Sequence, residues 1–531
     1  MITKIPKPLF FIIAFIFGIF LYMPAISGTP IWDDYSYWFE NSNMQPHMSY
    51  WSILTNFGWP ISVIIQKFLF SILGKNFIIY HLISYFLHFI NSILVYRIFR
   101  LLKINHSYIG FLFFLLHPTA VMTTAWMIQI KTLLCFFFAF SSIIFFLKGE
   151  KQIKWLFVSW LFFFLSVGSK SASLTLPFVL FLIHYRYLKF KHVHYLLPYF
   201  LISLWGTIHV LKSPVTQEGS VRASLVAKTI EEAPKEKSEV KLIQPTPPEN
   251  KVNSSKKKVA KNSKRNKRQI PSPKIEKTEE KQKQANIKEM NEVKTDVTPP
   301  KEERKPAPPK KNQEKKLVHF DLKKIIQVVH YYFWQAFLPI HNHPVKGLNF
   351  NPIGWSEVTH LFFLFCIIFI FFRDSALLFL ISAHIMILPF IGLVPAPYMS
   401  VTWVSDQHLY LALPALIGFW MRILSKINFK QAYVIPLLFL LLFSFKTFET
   451  SSYYKNQFIF YEKSLDYNPA NVPIVFNLAL ARAVSGELVL SHQILSQAID
   501  LSQTIPQMKK SIYYPHLINL YFMVNRAVGL K

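Results

Sequence analysis

Cysteine is nearly absent from this chain. Cys135 and Cys366 are its two thiols, and both lie inside apolar runs. That excludes a disulfide framework, and without a CxxC or paired His/Cys spacing no structural zinc site is expected. Charge is scarce as well, at 16% of residues against 52% hydrophobic, with 52 phenylalanines. A water-soluble chain of 531 residues needs more charge than this, so the composition points to a polytopic membrane protein. Acids are the scarcer sign: 28 Asp and Glu stand against 58 Lys and Arg, a formal net charge of +30. The apolar runs show no acidic relay and no internal repeat, which removes the usual grounds for a transporter.

What is present is a series of apolar runs. "PLFFIIAFIFGIFLYMPAI" (8–26) holds about 19 residues, enough to cross a bilayer core. With "MITKIPK" before it and "AIS" before Gly28 it partly looks like a signal peptide. The run is longer than the usual apolar core of one and reads as an uncleaved first span. Further runs fall near 77–99, 108–126, 132–147, 154–168, 172–185, 194–211, 358–372, 376–395, 408–424 and 432–447. The expected fold is therefore all-α, a polytopic helical bundle of about eleven spans. Basic residues mark one side: Lys4, Lys7, Arg97, Arg100, Lys103, "KGEKQIK" (148–154), "RYLKFK" (186–191), Arg373 and "RILSKINFK" (422–430). They alternate in register with the runs, which predicts a cytoplasmic N-terminus and an extracytoplasmic C-terminus.

The membrane part divides into 1–211, with an outer loop over 27–60, and 321–449. Between them, 212–320 is rich in Lys, Glu, Pro, Ser and Asn with almost no aromatics. Such a segment buries too little apolar surface to offset its ordering entropy and is expected to be disordered. Its span count places it outside despite its charge, because long loops translocate largely regardless of charge. Anionic lipid headgroups or acidic envelope polymers fit it as partners and nucleic acid does not, although a solvated spacer explains it more simply. After the last run, 450–531 has apolar residues at helical spacing, a turn at Asn468-Pro469 and Gly486 between two helical stretches. That pattern predicts a small C-terminal helix–turn–helix region outside the membrane.

In "GTPIWDDYSYW" (28–38) two adjacent acids, Asp33 and Asp34, stand among aromatics where the first run ends. Interfacial caps and an outward-facing catalytic pair both account for them. Other stretches bear on the choice. "GKNFIIYHLISYFLHFINSILVY" (74–96), "FLLHPTAVMTTAWMIQIKTLL" (114–134), "FLSVGSKSASLTLPFVLFL" (164–182), "GLVPAPYMSVTWVSDQHLYLALPALIGF" (392–419) and "FYEKSLDYNPANVPIVFNLA" occur in this order. Together they resemble the transmembrane and tetratricopeptide-repeat-containing O-mannosyltransferases and their bacterial relatives, within the type-C glycosyltransferase superfamily. The similarity touches nearly the whole chain outside 212–320.

The resemblance implies transfer of a sugar, with inversion, from a polyprenyl-phosphate carrier to a hydroxyl of a protein or glycan acceptor. It implies that Asp33 and Asp34 are the catalytic pair, that 450–531 is tetratricopeptide-like, and that the membrane is a bacterial inner membrane. A carboxylate at the boundary can take the acceptor proton, and the leaving phosphate needs positive charge. Lys131 and Lys170, each near the outer end of a run, are the candidates, with His117 and Asp406 as further substrate-binding positions; a snorkelling lysine is the simpler account of each amine. The carboxylates are also able to hold a divalent cation, as in some relatives. No metal ligands are assigned.

Several positions depart from the family pattern. Its Glu after His-Pro is Met122, its Arg before Lys131 is Ile130, its Glu after Ser-Lys is Ser171, its Asp-Arg-Tyr reads Asp406-Gln407-His408, and its Arg-Pro reads Trp59-Pro60. Lysine does not replace a bidentate guanidinium fork, so a non-catalytic descendant serving as an envelope scaffold stands beside the enzyme. His81 and His88 share a helical face with Asn91 nearby, where helix-to-helix hydrogen bonding competes with function. His117-Pro118 is expected to shape a helix break, and His341-x-His343 lacks a third ligand for a metal.

Overall fold

The computed structural model describes residues 6–34, 38, 49–187, 193–212, 322–340, 342–346, 358, 374–393, 397–426 and 434–529. All of them fall in one unit, formed by Met1–Lys235 with Val318–Lys531. The insert beyond residue 212, the 358–372 run except for Val358, and His341 lie outside the described residues.

The regular elements among these residues are helices, apart from an isolated antiparallel bridge between Lys346 and Val404. In chain order they are α1 (Lys7–Ile26), α2 (Tyr50–Asn56), α3 (Pro60–Leu73), α4 (Phe77–Leu101), α5 (Ser107–Leu115), α6 (Ala120–Ala125), α7 (Ile130–Gly149), α8 (Lys154–Ser169), α9 (Leu176–Tyr187) and α10 (Leu197–Lys212). Then come α11 (Leu322–Phe337), α12 (Ser375–Ile387), α13 (Asp406–Leu409), α14 (Leu413–Leu424), α15 (Val434–Ser452), α16 (Gln457–Tyr467), α17 (Val472–Val484), α18 (Leu488–Thr504) and α19 (Tyr514–Val528).

Among the described residues five helical stretches are long and apolar enough to cross a membrane: Lys7–Ile26, Phe77–Leu101, Met127–Gly149, Val193–Val210 and Val434–Ser452. Their exposed sides are greasy. Ile12, Ile16 and Phe20 on α1, and Leu437, Leu441 and Phe445 on α15, point outward. Water would oppose that arrangement and lipid tails accept it. Polar groups instead turn inward and join helices. Ser142 of α7 and Ser159 of α8 exchange hydrogen bonds with each other's carbonyls at 2.9 and 2.6 Å, and Tyr199 of α10 donates to Ser159 Oγ at 2.6 Å. Such bonds contribute about 0.6 kcal/mol each in a bilayer, so the close packing of the α7–α8 hairpin carries most of the association.

The run over 108–126 is two helices, not one. Pro118 has no N–H and disfavours helical backbone at His117, so α5 stops at Leu115 and α6 starts at Ala120. His117 fills the gap: Nδ1 meets Thr119 Oγ1 at 2.8 Å and Nε2 meets the Ala336 carbonyl at 3.1 Å. The run near 408–424 is likewise divided, into α13 and α14.

At the C-terminus α16 to α19 fold back on one another around Val475, Ala479, Leu495, Leu517, Leu520 and Val524. Asn456 and Asn471 cap α16 and α17, accepting from Ile459 N at 3.0 Å and Ile474 N at 3.4 Å. Gly486, at φ 84°, makes the left-handed turn into α18.

Candidate functional site

Residues 27–34 leave α1 and are fastened along their length. Ser27 caps α1 with its amide on the Met23 carbonyl, and Thr29 N donates to the Lys455 carbonyl at 2.9 Å. Gly28 is required by close approach: a Cβ there would stand 2.9 Å from the Tyr454 and Lys455 carbonyl oxygens. Ile31 to Asp34 then close a turn, in which Asp34 N donates to the Ile31 carbonyl at 2.9 Å.

The two acids occupy different environments. Asp34 is fully buried, and each carboxyl oxygen accepts a backbone amide: Oδ2 from Ile31 at 3.0 Å and Oδ1 from Ile128 at 2.8 Å. Burial pushes its carboxyl up to about 8, and the two amides and the Lys131 amine pull against that shift. Asp33 is half-buried and lies within electrostatic reach of Lys131. Asp34 therefore fastens the turn to the 126–128 segment, while Asp33 is the more accessible acid. Among the described residues no three His, Cys, Asp or Glu side chains converge on a metal position.

Lys131 and Lys170 come from the same end of the α7–α8 hairpin. Lys131 sits in the first turn of α7, half-buried, with Nζ 5.8 Å from the Trp59 ring centroid at the start of α3. Lys170 follows α8, with Nζ 2.7 Å from Thr132 Oγ1, 3.4 Å from Gln129 Oε1 and 3.3 Å from Gln407 Oε1. Burial and, to a smaller extent, the like charge of Lys131 lower its amine to about 7. Four chain segments thus bring an acid and two amines to one end of the bundle: the 27–34 turn, the head of α7, the tail of α8 and Gln407.

Asp406 is held elsewhere. Lys346 Nζ lies 2.6 and 2.7 Å from its two oxygens, Tyr331 donates at 3.3 Å and Gln335 at 3.5 Å, and the ion pair is buried. Burial raises the Asp406 carboxyl and lowers the Lys346 amine, and their contact opposes both shifts. The sequence gives no local hint of Lys346, because the two residues are 60 positions apart. The contact of Gln407 with Lys170 was likewise not foreseen, since the two residues are 237 positions apart.

His117 serves the helix break and also lines an apolar cavity of about 300 Å³ with Phe113, Phe337, Trp420, Phe439 and Phe443; no contact joins it to the acid and the amines. His88 joins helices, with Nδ1 2.7 Å from Tyr410 Oη and Nε2 3.1 Å from the Leu115 carbonyl. His81 is buried and faces the backbone of Ala125. His343 Nδ1 meets the Lys463 carbonyl at 2.7 Å, a docking contact for α16.

Fold and site together define a helical protein with membrane-spanning segments and a mixed-charge cluster at one end of a helix hairpin. No family model, curated protein or solved structure matches the chain.

Proposed function

We propose that the chain is an integral-membrane glycosyltransferase of the type-C class, moving a sugar from a polyprenyl-phosphate donor to a hydroxyl on the outer face of a bacterial inner membrane. The observation that supports it best is the convergence of half-buried Asp33 with Lys131 and Lys170 at one end of the α7–α8 hairpin. In this reading Asp33 takes the proton of the acceptor hydroxyl as its oxygen attacks the anomeric carbon. The carbon–oxygen bond to the phosphate breaks with inversion, and the phosphate leaves with the electron pair toward the amines. About eleven spans, a cytoplasmic N-terminus and a tetratricopeptide-like 450–531 belong to the same reading.

One observation favours a non-catalytic envelope scaffold instead. Two positions that are charged in the resembling family hold Met122 and Ile130, both buried and packed with other apolar side chains. The deciding assay is transfer of label from lipid-linked sugars in membranes. Asp33→Asn keeps the size and removes the base, and should cut turnover by roughly 10²–10⁴-fold. Wild-type membranes that transfer nothing from any polyprenyl-linked donor would favour the scaffold.

A further inference from the structure

Trp32, the residue before Asp33, has φ 43°, in the left-handed region. It occupies the second position of the Ile31–Asp34 turn, where positive φ is ordinarily supplied by Gly, Asn or Asp. A tryptophan held there is strained, and such strain persists only where the surroundings fix it. Its ring provides the fixing contacts. It stacks on Trp126 with centroids 6.0 Å apart and planes at 30°, stands edge-on to Phe460 at 5.7 Å, and touches Tyr461 at 6.2 Å. Trp126 precedes the segment whose Ile128 amide grips Asp34, whereas Phe460 and Tyr461 belong to α16.

If the ring were released, the backbone would relax to negative φ. The 32–33 peptide would turn over, and the Asp33 side chain would leave from a different direction. We propose that Trp32 is a positioning residue for Asp33, held in a three-ring cluster with Trp126 of the α6–α7 link and Phe460 of α16, whose own centroids lie 6.1 Å apart. The C-terminal helices thereby become part of the machinery that aims the acid. This inference rests on the role given to Asp33 in the proposed glycosyl transfer. Tyr513, at the start of α19, also feels the charge of Asp33, in keeping with C-terminal helices standing close to the turn.

The test uses the full-length protein in nanodiscs and two readouts. Hydrogen exchange at the amides of Thr29 and of residues 31–34 reports the clamp without reference to activity, and label transfer from a lipid-linked sugar reports its consequence. Phe460→Ala, Trp32→Ala and Trp32→Gly should speed exchange at 29–34 by at least about tenfold while the α7 and α8 amides stay protected. Trp32→Gly matters because glycine accepts the backbone angle freely; rapid exchange there shows that the ring does the holding. Trp32→Phe, which keeps an aromatic face, should restore most of the protection. Tyr461→Leu, a milder change on α16, substitutes for Phe460→Ala if that variant does not fold. In the transfer assay the clamp variants should lose kcat by roughly 10²-fold with KM nearly unchanged, as expected for a misaimed group. Exchange at 29–34 equal to wild type in Trp32→Ala and in the α16 variant would overturn the clamp. Faster exchange with unchanged kcat would overturn the positioning role. A wild type that transfers nothing would defeat the glycosyltransferase reading, and the exchange data would still decide the clamp.

Discussion

Removing the Asp34 carboxyl should cost more stability than activity, the reverse of the expectation for Asp33. Both Asp34 oxygens are buried and hold backbone amides, those of Ile31 and Ile128. Alanine leaves two buried N–H groups without partners, at about 1–3 kcal/mol each, so Asp34→Ala should lose about 2–6 kcal/mol. Asparagine retains one acceptor and sets an NH₂ against the other amide, so Asp34→Asn should lose about 1–3 kcal/mol. The pH dependence has a definite sign. An unfolded aspartate titrates near 4, and this carboxyl in the folded protein is held up to about 8. Between those values the folded state keeps a proton that the unfolded chain has released, so stability falls as pH rises across the window, by about 1.4 kcal/mol per unit at most. The gap between wild type and Asp34→Asn should therefore narrow from pH 5 to pH 8. Fluorescence-detected thermal unfolding in detergent across that range gives both quantities. If Asp34→Ala melts with wild type at pH 6, the carboxyl does not hold the turn and the division of roles between the two acids fails.

Three further outcomes are expected. Sulfate, whose charge is constant over this range, should stabilise the protein more at pH 6 than at pH 8, because the Lys170 amine, lowered to about 7, loses its charge across that range; Lys170→Met should flatten the difference in a thermal-shift titration. Asp406→Asn should destabilise by about 3–5 kcal/mol by leaving Lys346 buried without its partner, and adding Lys346→Met should recover much of the loss in unfolding measurements. Gly28→Ala should cost about 1–3 kcal/mol in the same measurement, since its methyl would press on the carbonyls of Tyr454 and Lys455.

The long apolar helices were legible because their signal is local: α1, α4 and α15 are dominated by apolar residues, and the His117-Pro118 break is written in two adjacent residues. Helix α11 was not foreseen, because Lys323, Lys324 and Gln327 dilute its apolar face; α2 falls in the 27–60 stretch read as an outer loop, and α3 follows it outside the apolar runs read from the sequence. In the candidate site, Asp33, Asp34, Lys131 and Lys170 stood out as charges at the ends of apolar runs. The groups that tune them did not stand out, although Gln129 and Thr132 are polar residues flanking Lys131. Lys346 pairs with Asp406 across 60 residues, and Trp32 packs against Trp126, 94 positions away, and against Phe460 and Tyr461, more than 400 positions away. Contacts of that range leave no periodicity or spacing to read.

The fastening of the 27–34 turn to Lys455, Phe460 and Tyr461 also bears on biosynthesis. The first helix leaves the ribosome long before its partners exist, since α15 and α16 are translated nearly last. Until then the turn lacks the carbonyl that binds Thr29 and the ring that flanks Trp32. A nascent or prematurely terminated chain can insert most of its helices and still carry its acids on an unset turn. An incomplete chain therefore holds Asp33 and Asp34 on a turn that lacks the contacts fixing it in the finished protein.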